Sequence, residues 1–135
     1  MKPQNHISVY LVEDSPLVLR GLTELIEDAG AATIVGHADT ASAAIADIAA
    51  LHPDAVTIDI LLKKGTGLDV LEAMAINDDG HPSVRIVLSN YVMDVYRQAA
   101  QELGADYFFD KAKQMPEVLT VLESLNGDRQ STIAA

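Results

Sequence analysis

Four short apolar runs in this 135-residue chain end in polar groups. Val9-Tyr10-Leu11-Val12 runs into Glu13-Asp14, and Ala55-Val56-Thr57-Ile58 runs into Asp59. Ile86-Val87-Leu88 is followed by Ser89, and the stretch from Ala105 to Asp110 by Lys111. Brought to one place, these residues would supply three carboxylates, a hydroxyl and an ammonium. Two carboxylates ~5 Å apart repel by roughly 3 kcal/mol at an effective dielectric of 20. A third makes this worse, unless one acid holds a proton. A hard divalent cation relieves the repulsion. An all-oxygen, incomplete ligand set favours Mg²⁺ that keeps waters and shares a phosphoryl oxygen. Lys111 adds a second positive charge and Ser89 a donor, which completes the parts of a phosphoryl-transfer site. Asp59, central among them, is the candidate nucleophile and would form an acyl phosphate.

Each residue also has a plainer reading. Asp14 would be favourable near the start of a helix. Ser89 could cap one, and Lys111 could be a solvated lysine. Asp59 is harder to dismiss, because an ionised carboxylate at the end of a buried strand needs partners. Coincidence at four strand ends is harder still to attribute to chance.

The elements between these residues decide whether they meet. Residues 7–12 read as a first strand. Ser15-Pro16 gives an N-cap and a proline at N1, and Gly30 stops a helix carrying Val18, Leu22, Leu25 and Ile26. Residues 33–37 form a weaker second strand. Asp39 or Thr40 caps an alanine-rich helix with Ala44, Ile48 and Leu51 on its apolar side. Strand three covers 55–59, followed by a glycine-bearing loop over 60–67. A third helix presents Leu68, Leu71 and Ala75, and Asp79-Gly80 marks a turn. Strand four covers 84–89. Helix four has Val92, Val95, Tyr96, Ala99 and Leu103 as its stripe, with Gly104 as its stop. Strand five covers 105–110. Helix five carries Val118, Leu119, Leu122 and Leu125, and Asn126-Gly127 opens a frayed polar tail over 126–135.

Five strand–helix units imply parallel strands with right-handed crossovers. They are too few for an eight-stranded barrel. The fold class is therefore α/β: a doubly wound, flavodoxin-like five-stranded parallel sheet of order 2-1-3-4-5. Such sheets bind ligands at the carboxyl ends of their strands, where Glu13, Asp14, Asp59, Ser89 and Lys111 fall.

Composition narrows the class further. Twenty acidic against nine basic residues give a net charge of −11, which disfavours direct contact with nucleic acid or an anionic membrane. The chain has no cysteine, hence no thiol nucleophile or thiolate metal site. His6, His37, His52 and His81 lie on separate elements without ligand spacing. No apolar run is long enough for a membrane span, and the first residues lack a signal-peptide pattern. The expectation is a cytoplasmic domain.

Glu13-Asp14, Asp59, Ser89 and Lys111 resemble the receiver domains of two-component response regulators, over roughly residues 6–125. Gly65-Thr66-Gly67-Leu68 and Gly104-Ala105-Asp106-Tyr107 add to the likeness. The resemblance implies that Asp59 is phosphorylated by a histidine kinase or a histidine phosphotransfer protein. It implies that Glu13, Asp14, Asp59 and the backbone carbonyl of Leu61 hold Mg²⁺. It assigns Lys111 to a phosphoryl oxygen, Ser89 to the phosphoryl group, and Phe108 to the aromatic that follows Ser89. In receivers, the side chains two residues after the aspartate and two after the Ser/Thr flank the path of hydrolytic water. Here they are Leu61 and Tyr91. The chain departs from the family with Lys63 and Ala112, where proline often stands. A cis bond before Ala112 would cost about 3–4 kcal/mol.

An aspartate-nucleophile phosphatase would need an acid at position 61, which is leucine. A flavin carrier would need a phosphate-cradling loop where Glu13-Asp14 stands. A receiver that binds partners without phosphorylation is the remaining alternative, against which the intact acid set argues. About ten residues follow helix five, which is too short for an output domain. The expected output is a surface change read by an unknown partner protein, with Tyr91, Val92, Tyr96 and Tyr107 near the face that would present it.

Overall fold

The computed structural model describes residues 6–77, 80, 82–90 and 94–134, with side chains to residue 127. The expectations for Asp79, His81, Tyr91 and Val92 fall outside the described residues. The elements run β1 (Ser8–Val12), α1 (Pro16–Ala29), β2 (Thr33–Ala38), α2 (Ala41–Leu51), β3 (Ala55–Ile58) and α3 (Gly67–Ile76). They continue with β4 (Val84–Ser89), α4 (Asp94–Glu102), β5 (Tyr107–Asp110) and α5 (Glu117–Ala134). The strands form one parallel sheet of order β2-β1-β3-β4-β5, as expected.

Side chains alternate across a strand, so a strand buried on both sides feeds two cores. Val9 and Leu11 pack with Leu22 and Ile26 of α1 and Val118 and Leu122 of α5. Tyr10 and Val12 face the other way, against Ala44 and Ile48 of α2 and Val70 and Leu71 of α3. β1 and β3 are thus sheathed on both faces. Their carboxyl ends are the part of the sheet centre that stays open to a ligand.

The helix ends follow their local chemistry. Ser15 caps α1 by accepting from Val18 N, Pro16 takes the first turn, and Gly30 closes the helix at φ 62°. Thr40, not Asp39, caps α2. Thr66 and Asp69 form a reciprocal capping box on α3.

Three expectations are corrected. Residues 126–134 continue α5 rather than fraying as a tail. Asn126 secures the junction: its amide donates to Ala31 O at 2.6 Å, and its carbonyl accepts from Ile7 N at 3.2 Å. Those bonds offset the roughly 1 kcal/mol that Gly127 costs inside a helix. α3 buries Val70, Leu71 and Met74, whereas Ala75 is exposed. Its rotation is set at its first residue: a Cβ on Gly67 would lie 2.3 Å from Asp59 O. In α4, Ala100 is the buried residue and Val95 is 64% exposed, because α4 lies over the outer part of the sheet.

Candidate functional site

The parallel ladder carries Glu13 and Asp59 out of the sheet side by side. Glu13 N donates to Ala38 O at 3.0 Å, and Asp59 N donates to Val12 O at 2.9 Å. Lys111 N donates to Ser89 O at 2.9 Å, which extends the β4–β5 pairing to the same level. Backbone bonds therefore fix the bases of the Glu13, Asp59 and Lys111 side chains.

Glu13, Asp59, Ser89 and Lys111 are all buried, and Asp14 is half-buried. One carboxylate oxygen from each of Glu13, Asp14 and Asp59 lies within 4.8 Å of the others. Lys111 Nζ donates to Glu13 Oε1 at 2.8 Å and to Asp59 Oδ2 at 3.1 Å. The other oxygen of Glu13 accepts from Ser15 N at 3.0 Å, which ties the acid to the start of α1. Sequence reading gave Glu13 no such positioning role.

A single ammonium does not neutralise three carboxylates. Burial pushes the Asp59 carboxyl up to about 7, and the charge of Glu13 and a hydrogen bond with Asp14 act in the same direction, against the pull of Lys111. Burial works against the charge on Lys111, but the Glu13 and Asp59 carboxylates outweigh it and hold the ammonium above its usual range. The cluster lacks positive charge, and its donors are all hard oxygens. A divalent cation fits it.

The loop after Asp59 is held at both ends. Gly67 N donates to Ile60 O at 2.7 Å, Lys63 N to Asp39 O at 3.0 Å, and Ala41 N to Lys64 O at 3.0 Å. Gly65, at φ 77°, sits where a Cβ would be 2.6 Å from that of Ala41. The Lys63–Asp39 ion pair at 3.3 Å is exposed and contributes little. Leu61 lies in this loop and is 39% exposed.

The peptide bond before Ala112 is trans. Asp110 organises the turn in place of proline: its Oδ1 accepts from Ala112 N at 2.8 Å, and its O accepts from Gln114 N at 2.7 Å. Phe108 is buried on the α4 side of the sheet, with the Arg97 guanidinium 4.8 Å from its ring centroid. Glu13, Asp14, Asp59 and Lys111 thus converge, Ser89 joins Lys111 through its backbone carbonyl, and Phe108 lies three residues before Lys111.

Comparison with known proteins agrees with this fold. The chain is 30% identical to a protein-glutamate methylesterase/protein-glutamine glutaminase of Geobacter sulfurreducens, over 89% of this chain and 32% of that protein. It spans between 32% and 56% of the length of the first curated relatives that it matches. The receiver domain of the NarL regulator from Mycobacterium tuberculosis superposes with a TM-score of 0.81 at 23% identity, covering 90% of this chain and 97% of that one. The receiver domain of a sensor histidine kinase from Pseudomonas aeruginosa, solved with magnesium in its active-site cleft, gives 0.78 at 17% identity and covers 90% and 98%. The family profile of the response regulator receiver domain matches residues 9–123, and the chain belongs to that family.

Proposed function

We propose that this chain is a phosphorylation switch that takes a phosphoryl group on Asp59 and passes the signal through a change of surface. The observation that carries the reading is the three-carboxylate cluster with Lys111 bonded to both Glu13 and Asp59. The donor is the phosphoimidazole of a histidine kinase or phosphotransfer protein. An Asp59 oxygen attacks phosphorus, the P–O bond forms as the P–N bond breaks, and the departing imidazole takes up a proton. Lys111 holds Asp59 and stands ready to pair with a phosphoryl oxygen. Ser89, at the end of β4, offers its hydroxyl to the phosphoryl group, and Phe108 adjusts to that contact.

Glu13, Asp14, Asp59 and the Leu61 carbonyl would hold Mg²⁺, which would offset the negative charge of the carboxylates and of the incoming phosphoryl oxygens. The test is intact mass after incubation with a small phosphodonor such as acetyl phosphate. One phosphoryl group adds in the presence of Mg²⁺ and none in EDTA. Equal labelling in EDTA contradicts the reading.

Leu61 bears on the lifetime of the product. Hydrolysis needs a water in line with phosphorus, and orienting that water is a large part of hydrolytic catalysis. Leu61 has no polar atom to orient one. Leu61→Asn, alone or with Tyr91→Glu, speeds decay of the phosphorylated protein several-fold in single-turnover measurements at saturating Mg²⁺. An unchanged decay rate contradicts the role of Leu61.

A further inference from the structure

At the opposite end of the sheet from the carboxylates, a cavity of about 90 Å³ opens between the C-terminal ends of α2 and α3 and the start of β4. A water needs roughly 10–15 Å³ by this measure, so a small organic molecule fits. Ile45 and Ile48 of α2 and Ala73 and Met74 of α3 give it apolar walls. Ser83, just before β4, and Arg85 of β4 supply polar atoms.

Arg85 is the anomaly. It is 9% exposed, yet no carboxylate pairs with its guanidinium among the described residues. The nearby Asp106 carboxylate accepts from its backbone N–H instead, at 2.9 Å. One terminal nitrogen reaches Met74 O at a long 3.4 Å, and the buried Nε–H has no partner among the described residues. The fold nonetheless makes room for the charge: a Cβ on Gly104 would lie 2.9 Å from its other terminal nitrogen. A buried cation without an anion is costly, and removing that cost by binding an anion is favourable.

From these features we infer that this cavity binds a small apolar monocarboxylate, its carboxylate on Arg85 and its body against Ile45, Ile48 and Met74. Guanidinium suits carboxylate geometry, and its Nε–H has no acceptor among the described residues. The helix ends select against higher charge. The C-termini of α2 and α3, closed by His52 and Asn77, put partial negative charge at the cavity rim. With a net charge of −11 on the chain, a phosphate dianion is disfavoured relative to a monoanion with an apolar body.

The test titrates the full chain with benzoate, benzamide and inorganic phosphate, following methyl and amide NMR shifts. Benzoate shifts the signals of Ile45, Ile48, Ala73 and Met74 saturably, with a dissociation constant on the order of 1 mM or tighter. Benzamide and phosphate bind at least about tenfold more weakly. Arg85→Met, checked for cooperative unfolding, loses benzoate binding by at least about tenfold. Ala73→Leu, which keeps the guanidinium and fills the cavity rim, loses it as well. Equal binding of benzoate and benzamide, full binding by Arg85→Met, or shifts confined to the Asp59 end would each overturn the assignment. So would the absence of saturable binding at millimolar benzoate.

Discussion

Replacing Asp59 with asparagine raises the melting temperature of the protein in EDTA by about 3–6 °C. Its carboxylate lies within 4.8 Å of those of Glu13 and Asp14. At that separation each pair repels by about 3 kcal/mol at an effective dielectric of 20, and Lys111 offsets only part of this. The sign with pH follows from the raised Asp59 carboxyl. Its value is about 7 in the folded chain against 3.8 for the free group. The folded state therefore binds the proton more tightly, and its stability falls as pH rises through that window. The advantage of Asp59→Asn is absent below about pH 4, grows to about pH 7 and is constant above. Mg²⁺ stabilises the unsubstituted protein by about 1.4 kcal/mol when tenfold above its dissociation constant, and stabilises Asp59→Asn less. Thermal melts at several pH values, with and without Mg²⁺, check both statements. An equal or lower melting temperature for Asp59→Asn in EDTA at pH 8 contradicts the crowding.

Lys111→Met lowers the melting temperature in EDTA by roughly 10 °C. The ammonium bonds Glu13 and Asp59 at 2.8 and 3.1 Å, with only 6% of its side chain exposed. Methionine keeps the apolar stem but leaves two buried carboxylates facing each other, a loss of about 3–5 kcal/mol for a broken buried pair. Mg²⁺ restores much of the loss, because it replaces the missing positive charge. Differential scanning calorimetry of the variant with and without Mg²⁺ measures this. A melting temperature in EDTA equal to that of the unsubstituted protein contradicts the proposed balance of charge.

The strand-end residues were legible because the α/β alternation fixes the sheet order and the order fixes which ends are neighbours. Glu13-Asp14, Asp59, Ser89 and Lys111 needed no long-range knowledge beyond that. Ser15-Pro16 and Gly30 were legible because capping is local chemistry. The continuation of α5 was not, since the partners of Asn126 are Ile7 and Ala31, 119 and 95 residues away. The rotation of α3 was hidden for a similar reason. It depends on Gly67 lying against Asp59 O, a contact that periodicity does not encode. Val95 fits a helical stripe as well as Ala100 does, and only the position of α4 on the sheet decides between them. Arg85 read as an ordinary strand residue, because the lack of a partner for its Nε–H among the described residues is visible only in three dimensions.

Mapping the modified residue tests the central claim most directly. The protein is incubated with acetyl phosphate and Mg²⁺, reduced with borohydride to convert an acyl phosphate to the alcohol, digested, and sequenced by tandem mass spectrometry. The account predicts conversion at Asp59 alone, and none at any position in Asp59→Asn. Conversion at Glu13 or Asp14 in the unsubstituted protein, or an unmodified Asp59 in protein that has gained a phosphoryl group, would contradict it.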